Sequence, residues 1–415
     1  MAPVALTPDQ SGTSTPTSTS ASALTQAGIK HALNGSPDAN GTEQKPLDTS
    51  RMTYTYTSTP RTVPQPDSAE TKAQKTCTDH MVSARWTIEH GWDAPELKPY
   101  GPLSIMPSAS VLHYATECFE GLKLYRGFDG RLRLFRVSRN CQRMLKSARR
   151  IALPDFDPKE LERMIIALCA TDGDKWLPQE RAGHFLYIRP TLIGTDAALG
   201  VQRPREALLY VIIASTPGLK LLASNEDTIR AWPGGFGYAK LGANYGPSLV
   251  AQGEARSRGF DQVLWLFGKE CYVTEAGASN FFLVWRHGES GKLQLVTAPL
   301  EERIILEGVT RASILELATS RLSKRYGELE EVEVVEQRFT MEDVLCAIQE
   351  GRLVEAFAAG TAFFVAPVGL IHFRNQDLEV PMAEGETGAY AKAIKSWLVN
   401  IMYGKEEHEW GVLVK

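Results

Sequence analysis

The first 76 residues contain few large aliphatic side chains, so a hydrophobic core has to be built from the rest of the chain. Roughly a third of them are serine or threonine, with several prolines and glycines in between. Such a segment cannot bury enough apolar surface to offset the conformational entropy lost on ordering. We therefore predict a disordered tract over residues 1–76 and a fold that begins at residue 77.

The start of this tract also bears on cellular location. It has neither the charged and apolar blocks of a secretory signal nor the arginines of a mitochondrial presequence, although it is poor in acidic residues as presequences are. A cytoplasmic protein is therefore expected, with mitochondrial import left open.

Overall composition excludes several classes of protein. The chain has 415 residues, 43% hydrophobic, and a formal net charge of -4, so it is long enough for two domains and lacks the basic surface typical of nucleic-acid binding. The longest apolar run, residues 207–214, is far shorter than the roughly 18 residues of a membrane span and predicts a buried strand. Six cysteines stand singly, without a Cys-x-x-Cys pair, so neither a metal site nor a disulfide framework is expected.

Hydrophobic periodicity predicts a small α/β domain over residues 77–215. Residues 132–136 and 185–189 alternate with a period of two and predict strands that each end on an arginine. Residues 138–148 and 158–170 have helical spacing, and the second helix opens on a proline suited to a first turn.

A larger domain is predicted over residues 227–415, after a linker at 216–226 where turn residues follow the buried strand. Within it, residues 262–266 and 281–285 predict strands. Helical spacing predicts helices over Val309–Arg321 and Ala389–Met402.

Lys240 has an unusual sequence environment, because five glycines surround it between residues 234 and 246. Glycines let the backbone and a bulky ligand approach closely, and a lysine partly removed from water loses proton affinity. Such an amine attacks carbonyl groups, which predicts a Schiff-base lysine. The alternative is an exposed turn that carries an ordinary solvated charge. Nucleotide binding is disfavoured, because no Gly-Lys-Ser/Thr sequence follows.

Three further segments have the residue types of a cofactor site. Gly308 precedes a predicted helix, whose first amides and dipole favour an anion, and residues 358–362 form a small-residue loop that could cradle a phosphate. Glu275 lies before an apolar strand and could pair with a protonated ring nitrogen. Taken alone, Gly308 is better explained as an ordinary helix start and Glu275 as a solvated charge at the end of a strand, and the loop at residues 358–362 is weak evidence by itself.

Taken together, the motifs resemble those of branched-chain amino-acid aminotransferases, and the resemblance covers about residues 86–402. It is closest to the eukaryotic branch of the class-IV, fold-type IV pyridoxal-phosphate enzymes. The motifs occur in the family's order: Leu97-Lys98-Pro99-Tyr100-Gly101-Pro102-Leu103, Tyr114, Phe119-Glu120-Gly121-Leu122-Lys123, Leu134-Phe135-Arg136, Tyr187-Ile188-Arg189-Pro190, Lys240-Leu241-Gly242-Ala243-Asn244-Tyr245-Gly246, Thr274-Glu275 and Gly360-Thr361-Ala362.

The resemblance implies an α+β fold of type IV, with a smaller α/β N-terminal domain and a larger β-barrel-like C-terminal domain with flanking helices. It implies a homodimer that exchanges amino groups between leucine, isoleucine or valine and 2-oxoglutarate, with pyridoxal 5'-phosphate on Lys240. The expected cofactor contacts are Arg136, the amides of Val309 and Thr310, and Thr361 for the phosphate, Tyr245 for the phenolic oxygen, and Glu275 for the ring nitrogen. The expected substrate contacts are Tyr114, Phe119, Tyr187 and Tyr210 for the apolar chain, and Arg189 and Ala362 for carboxylates.

Two alternatives remain at this point. Another fold-type IV enzyme, a D-amino-acid aminotransferase or an aminodeoxychorismate lyase, would share the lysine, the glutamate and the phosphate contacts. A cofactor-binding protein without turnover would retain them as well. The motifs around Tyr114 and Tyr187 disfavour the first alternative, and the joint presence of Lys240, Glu275 and Arg136 disfavours the second.

Overall fold

The computed structural model describes residues 44–414 apart from residues 67, 74, 215–228, 363 and 384. Residues 1–43 of the predicted disordered tract and the predicted linker at 216–226 therefore lie outside the described residues. The described residues between 44 and 76 correct the prediction of disorder, because they pack against the first domain. Leu47 is buried, Glu160 accepts hydrogen bonds from the amide and hydroxyl of Thr49, and residues 53–54 pair with a strand of the sheet.

A mixed sheet forms the first half of the structure. Its strands are β1 (Thr53–Tyr54), β2 (His80–Thr87), β3 (Gly91–Trp92), β4 (Glu96–Pro99), β5 (Glu117–Phe119), β6 (Leu122–Arg126), β7 (Leu132–Phe135), β8 (Phe185–Gly194), β9 (Glu206–Ala214) and, from the end of the chain, β19 (Gly411–Leu413). Within the described residues the pairing path runs β1-β4-β2-β9-β8-β6-β7-β19, with β3 beside β2 and β5 beside β8.

Four helices accompany this sheet, and two of them cover it. They are α1 (Ala69–Lys72), α2 (Ser110–Tyr114), α3 (Val137–Arg150) and α4 (Pro158–Trp176). Both long helices begin and end at or beyond the predicted bounds, and α4 runs six residues past its prediction. Its polar last turns stay helical because Asp172 is buried and accepts hydrogen bonds from the backbone amide and ring of His80 in β2. The N-cap Asp157 accepts from the amide of Lys159, which fixes the start.

The second half is built on a branched sheet. Its strands are β10 (Leu264–Phe267), β11 (Tyr272–Ala276), β12 (Ser279–Arg286), β13 (Leu293–Thr297), β14 (Glu333–Glu336), β15 (Leu353–Gly360) and β16 (Phe364–Pro367), with a separate hairpin of β17 (Leu370–Phe373) and β18 (Gln376–Glu379). The sheet is centred on β12, which pairs with β11 and β13 and also with β15. Its helices are α5 (Ser248–Ser257), α6 (Val309–Arg321), α7 (Met341–Gln349) and α8 (Ala389–Met402), and the predicted bounds of α6 and α8 are confirmed.

The two halves share a hydrophobic cluster. Tyr125 and Phe135 of the first sheet pack with residues of α6, α8, β12 and β15. The end of the chain reinforces this contact, because β19 follows α8 and pairs antiparallel with β7. The cavity described below lies where the two sheets meet. No helix among the described residues is both long and apolar enough to span a membrane.

Candidate active site

A cavity of about 510 Å³ lies between the two sheets, and both halves of the chain supply its walls. In the first half, the wall is formed by β5, β6 and the turn between them, by β8 and by α3. In the second half, it is formed by the loop around Lys240, by β11, by the start of α6 and by the turn between β15 and β16. Among the predicted site residues, those on the wall are Phe119, Tyr187, Arg189, Lys240, Tyr245, Glu275, Val309, Thr310, Thr361 and Ala362.

Lys240 is half-buried on this wall, so the interpretation as an exposed turn is wrong. Its backbone is held on both sides: its amide donates to Ser147 Oγ at 2.9 Å, and its carbonyl accepts from the amide of Phe119 at 3.1 Å. The surrounding glycines permit this close packing. A Cβ at Gly242 would lie 2.7 Å from a carboxylate oxygen of Glu117, and one at Gly237 would lie 2.5 Å from a backbone carbonyl.

Tyr245 is the polar neighbour of the lysine amine. Lys240 Nζ donates a hydrogen bond to Tyr245 Oη at 3.1 Å, and the ring centre of Phe119 lies 5.0 Å from the same nitrogen. Burial on its own would raise the pKa of Tyr245, but the charge and hydrogen bond of Lys240 hold it below its ordinary value. The phenol is therefore suited to contact a positively charged group or a hydrogen-bond partner in the cavity.

Glu275 is the acidic residue among the described residues that line the cavity, and 2% of its surface is exposed. Burial raises the pKa of Glu275, and the opposing influence is the guanidinium of Arg230, which pairs with its Oε2. Its Oε1 accepts from the amide of Leu306 at 3.3 Å. The sequence analysis did not identify Arg230, because nothing in the motif around Glu275 indicates a partner 45 residues earlier.

The start of α6 forms an anion cradle. Gly308 caps the helix without a side-chain hydrogen bond, which leaves first-turn amides such as those of Val309 and Thr310 without intrahelical acceptors. A Cβ at Gly308 would lie 2.1 Å from Oδ1 of Asn280, so a glycine is required there. Thr361 faces the same part of the cavity. Together these groups suit a phosphate.

Arg136 does not belong to this cradle, which corrects the prediction for that residue. Its guanidinium donates to Ser313 at 3.1 Å and to Glu316 at 3.0 Å and lies 4.0 Å from the ring centre of Trp410, and it is absent from the described residues that line the cavity. The arginine of α3 that lines the cavity is Arg143, seven residues after Arg136. Arg136 is the N-cap of α3 and has a left-handed backbone, with φ of 47°, so its side chain does not follow the helical direction that brings Arg143 to the cavity.

Arg143 is held by a buried acid. Its Nε and Nη2 donate to the two carboxylate oxygens of Glu120, each at 2.7 Å, and its Nη1 donates to the carbonyl of Glu307 at 2.9 Å. A guanidinium has five N–H donors, so three are engaged here and two remain for an anion in the cradle.

The opposite part of the wall has apolar and basic character. Arg189 Nη2 donates to Tyr187 Oη at 3.0 Å, and its guanidinium lies 4.5 Å from the ring centre of Phe119. Its Nε is buried and has no hydrogen-bond partner among the described residues. A carboxylate that reached this nitrogen would satisfy it.

Two of the predicted pocket tyrosines are not on this wall. Tyr210 lies on β9, where burial raises its pKa, and it is not among the described residues that line the cavity. Tyr114 is 39% exposed, and its hydroxyl donates to the carbonyl of Leu199 instead. In addition, Lys123 lines the cavity although the sequence analysis assigned it no role.

Comparison with known proteins agrees with this geometry. A model of the family described as amino-transferase class IV matches residues 117–371. The cytosolic branched-chain-amino-acid aminotransferase of Saccharomyces cerevisiae is 47% identical over 378 residues, which cover 89% of this chain and 98% of the relative. The cytosolic enzyme of Mus musculus is 45% identical over 85% of this chain and 91% of its own length. A mitochondrial relative of Schizosaccharomyces pombe is 43% identical over 89% of this chain and 86% of its length.

Solved structures give the same result. The branched-chain amino acid aminotransferase of Escherichia coli superposes with a TM-score of 0.61 at 26% identity, over 80% of this chain and 98% of that one. The Thermoproteus uzoniensis branched-chain aminotransferase with norvaline has the same TM-score of 0.61 at 24% identity, over 80% and 99% of the two chains, and this likeness concerns the fold alone.

Proposed function

The chain belongs to the class IV aminotransferase family and, within it, to the branched-chain-amino-acid aminotransferases, and from this premise we propose that it transfers amino groups between leucine, isoleucine or valine and 2-oxoglutarate. The observation that carries this proposal is one cavity that brings a half-buried lysine, a buried carboxylate and an anion cradle together. The names of the relatives, both cytosolic and mitochondrial, are compatible with either compartment.

The cavity fits pyridoxal 5'-phosphate. Arg143, Thr361 and the first-turn amides of α6 would hold its phosphate, beside Gly308, where a Cβ would clash with Asn280. Lys240 would hold its aldehyde, and Glu275 would face its ring nitrogen. When bound, the cofactor supplies an electron sink that lets the α-carbon of an amino acid lose its proton.

Lys240 is the base that moves this proton. Its Nζ is held at 3.1 Å from Tyr245 Oη, which keeps the amine directed into the cavity. Glu275 would favour a proton on the ring nitrogen of the cofactor, because the attraction between a carboxylate and a cation is stronger in a buried site than in water. The charge of Arg230 opposes the rise in the pKa of Glu275 that burial causes.

The same pocket has to accept an aliphatic chain and a side-chain carboxylate. The ring of Phe119 offers the apolar contact. Arg189, with its unpartnered Nε, offers the charge for the acidic substrate, and Tyr187 steadies its guanidinium. This division explains how one site serves both halves of the exchange.

Purified holoenzyme with L-leucine and 2-oxoglutarate tests the proposal through glutamate formation. We expect turnover with L-leucine and none with D-alanine. Lys240→Ala should lose turnover by about a hundredfold or more, whereas Lys98→Ala, at a surface site outside the cavity wall, should behave as the parent. Turnover of D-alanine alone would indicate a different fold-type IV enzyme. Bound cofactor without any turnover would indicate a binding protein.

A second copy of the chain is the expected partner. Exposed apolar side chains cluster around Tyr114, whose hydroxyl contacts the backbone of Leu199, and they include Leu112 and Val201. Surfaces of this kind on a folded domain usually mark an interface. A homodimer would cover them. Sedimentation should give twice the mass of the chain, and Leu199→Asp should shift the protein towards monomer.

A further inference from the structure

Lys123 is an unexplained buried amine in the cavity wall. It lies on β6, exposes 2% of its surface, and no ion pair to it is found within the described part of the chain. Lysines are rarely buried without an acidic partner, because removing an ammonium from water is costly. Such a residue is retained where its charge or its hydrogen bond serves a purpose.

The contacts of Lys123 show what its amine holds. Its Nζ donates to the carbonyl of Ala362 at 2.8 Å, a residue 239 positions later in the chain. The same nitrogen lies 3.7 Å from the ring centre of Phe185 and 4.4 Å from that of Phe364, and both faces attract a cation. The amine therefore links β6 of the first sheet to the turn between β15 and β16 of the second sheet.

This turn forms part of the cavity, because Gly360, Thr361 and Ala362 all line it. A hydrogen bond to the carbonyl of Ala362 restricts rotation of the backbone at that residue, which has only two soft dihedral angles, and so limits the directions that the Ala362 amide can take. Amides of a turn are good donors to a carboxylate. All substrates of the proposed exchange share a carboxylate next to the reacting carbon.

We propose that Lys123 is a positioning residue that fixes the turn at residues 361–362 through the carbonyl of Ala362 and so orients the turn amides towards the carboxylate of the substrate. This inference rests on the proposed transaminase function. It assigns the amine a role in binding rather than in proton transfer, which is the task of Lys240.

The lowered pKa of the Lys123 amine allows the proposal to be tested through the pH dependence of substrate binding. Burial lowers the pKa of Lys123 to about 7, so the ammonium predominates below that pH and is lost above it. A neutral amine donates a weaker hydrogen bond than an ammonium, and affinity for carboxylates should therefore fall as the pH rises through about 7.

Burial is the one cause of the lowered pKa of Lys123. The titratable or charged groups that surround the amine are Tyr125 on its own strand, Tyr187 opposite it on β8, Tyr403 after α8, and Arg143, Arg189, Lys240 and Glu275 on the cavity wall.

The test compares Lys123→Met with Lys123→Arg in the holoenzyme, with Lys98→Met as the matched control at a surface lysine. The first readout is binding of 4-methylvaleric acid by calorimetry, which requires no turnover. We expect Lys123→Met to weaken binding about tenfold, the effect of one lost charged hydrogen bond. It should raise KM for both L-leucine and 2-oxoglutarate by a similar factor with kcat nearly unchanged. Lys123→Arg should restore binding and remove its pH dependence near 7.

A role confined to stability would give a different pattern. Lys123→Met would then lower the unfolding temperature and leave the binding of the folded holoenzyme unchanged, which would overturn the proposal. The proposal would also be overturned if Lys123→Arg kept the pH dependence of the parent. Should Lys123→Met fail to fold, Lys123→Gln, which keeps a donor without the charge, should show weakened binding that no longer varies with pH near 7. Absence of turnover in the parent with intact 4-methylvaleric acid binding would refute the proposed function alone.

Discussion

Replacement of Glu120 by glutamine should destabilise the protein more without cofactor than with it. Glu120 is completely buried and accepts two hydrogen bonds from Arg143, one from Asn140 at 2.9 Å and one from the amide of Gly121 at 3.3 Å. Burial alone would lower the pKa of Arg143, but the charge of Glu120 raises it above its ordinary value. Glu120→Gln removes this charge and turns an amide group towards a guanidinium that has no acceptor to offer.

The magnitude follows from the burial of the pair. Removing one partner of a buried ion pair costs about 3–5 kcal/mol, because the other charge is left uncompensated. A cofactor phosphate beside Arg143 would compensate it in part, since hydrogen bonds to charged groups contribute about 1.5–3 kcal/mol. We expect losses of roughly 4 kcal/mol in the free protein and roughly 2 kcal/mol in the holoenzyme. The difference of about 2 kcal/mol corresponds to roughly thirtyfold tighter binding of the cofactor by the variant.

Thermal unfolding of the free protein and of the holoenzyme measures the two losses of stability. Titration of the visible absorbance measures the change in cofactor affinity. The unfolding temperature of the free protein should fall by roughly 10 °C, at about 2–4 °C per kcal/mol for a domain of this size. Glu162→Gln, on the partly exposed side of α4, is the control and should change it little. Equal losses in the two forms would show that Arg143 does not face the phosphate. A loss below about 1 kcal/mol in the free protein would refute the energetic argument itself.

Three more outcomes are expected. Arg136→Met should leave the cofactor Kd within about threefold, whereas Arg143→Met should raise it by about a hundredfold, the effect of lost charged hydrogen bonds; the reverse order in an absorbance titration would restore Arg136 to the cradle. Trp410→Ala should lower the unfolding free energy in urea by about 3 kcal/mol, because the ring is buried against Arg136; a change below about 1 kcal/mol would mean that the end of the chain contributes little. In native thiol titration Cys346 should react first, since the other five cysteines are buried and burial raises the pKa of Cys169; a reaction that persists in Cys346→Ser would contradict this.

Two helices of the second half could be predicted from the sequence. The bounds of α8 agree with prediction because its apolar residues repeat with helical spacing, and α6 begins where Gly308 indicated; both signals depend on neighbours along the chain. The end of α4 and the order of the segment that begins at residue 44 could not be predicted from the sequence. Both are ordered by partners in the sheet, Asp172 by His80 and residues 53–54 by β4, and local composition does not record such contacts.

The chemistry of the site divides in the same way. The amino-acid sequence alone determined the kinds of groups available, since a lysine among glycines, an acid before an apolar strand and a glycine before a helix are local features. Only the tertiary structure decided which charges face the cavity. Arg136 and Arg143 lie seven residues apart at the start of α3 and within it, and their directions depend on Ser313 and on the carbonyl of Glu307, 177 and 164 positions away. A long side chain takes the direction in which its charge finds partners, and those partners are brought to it only by folding.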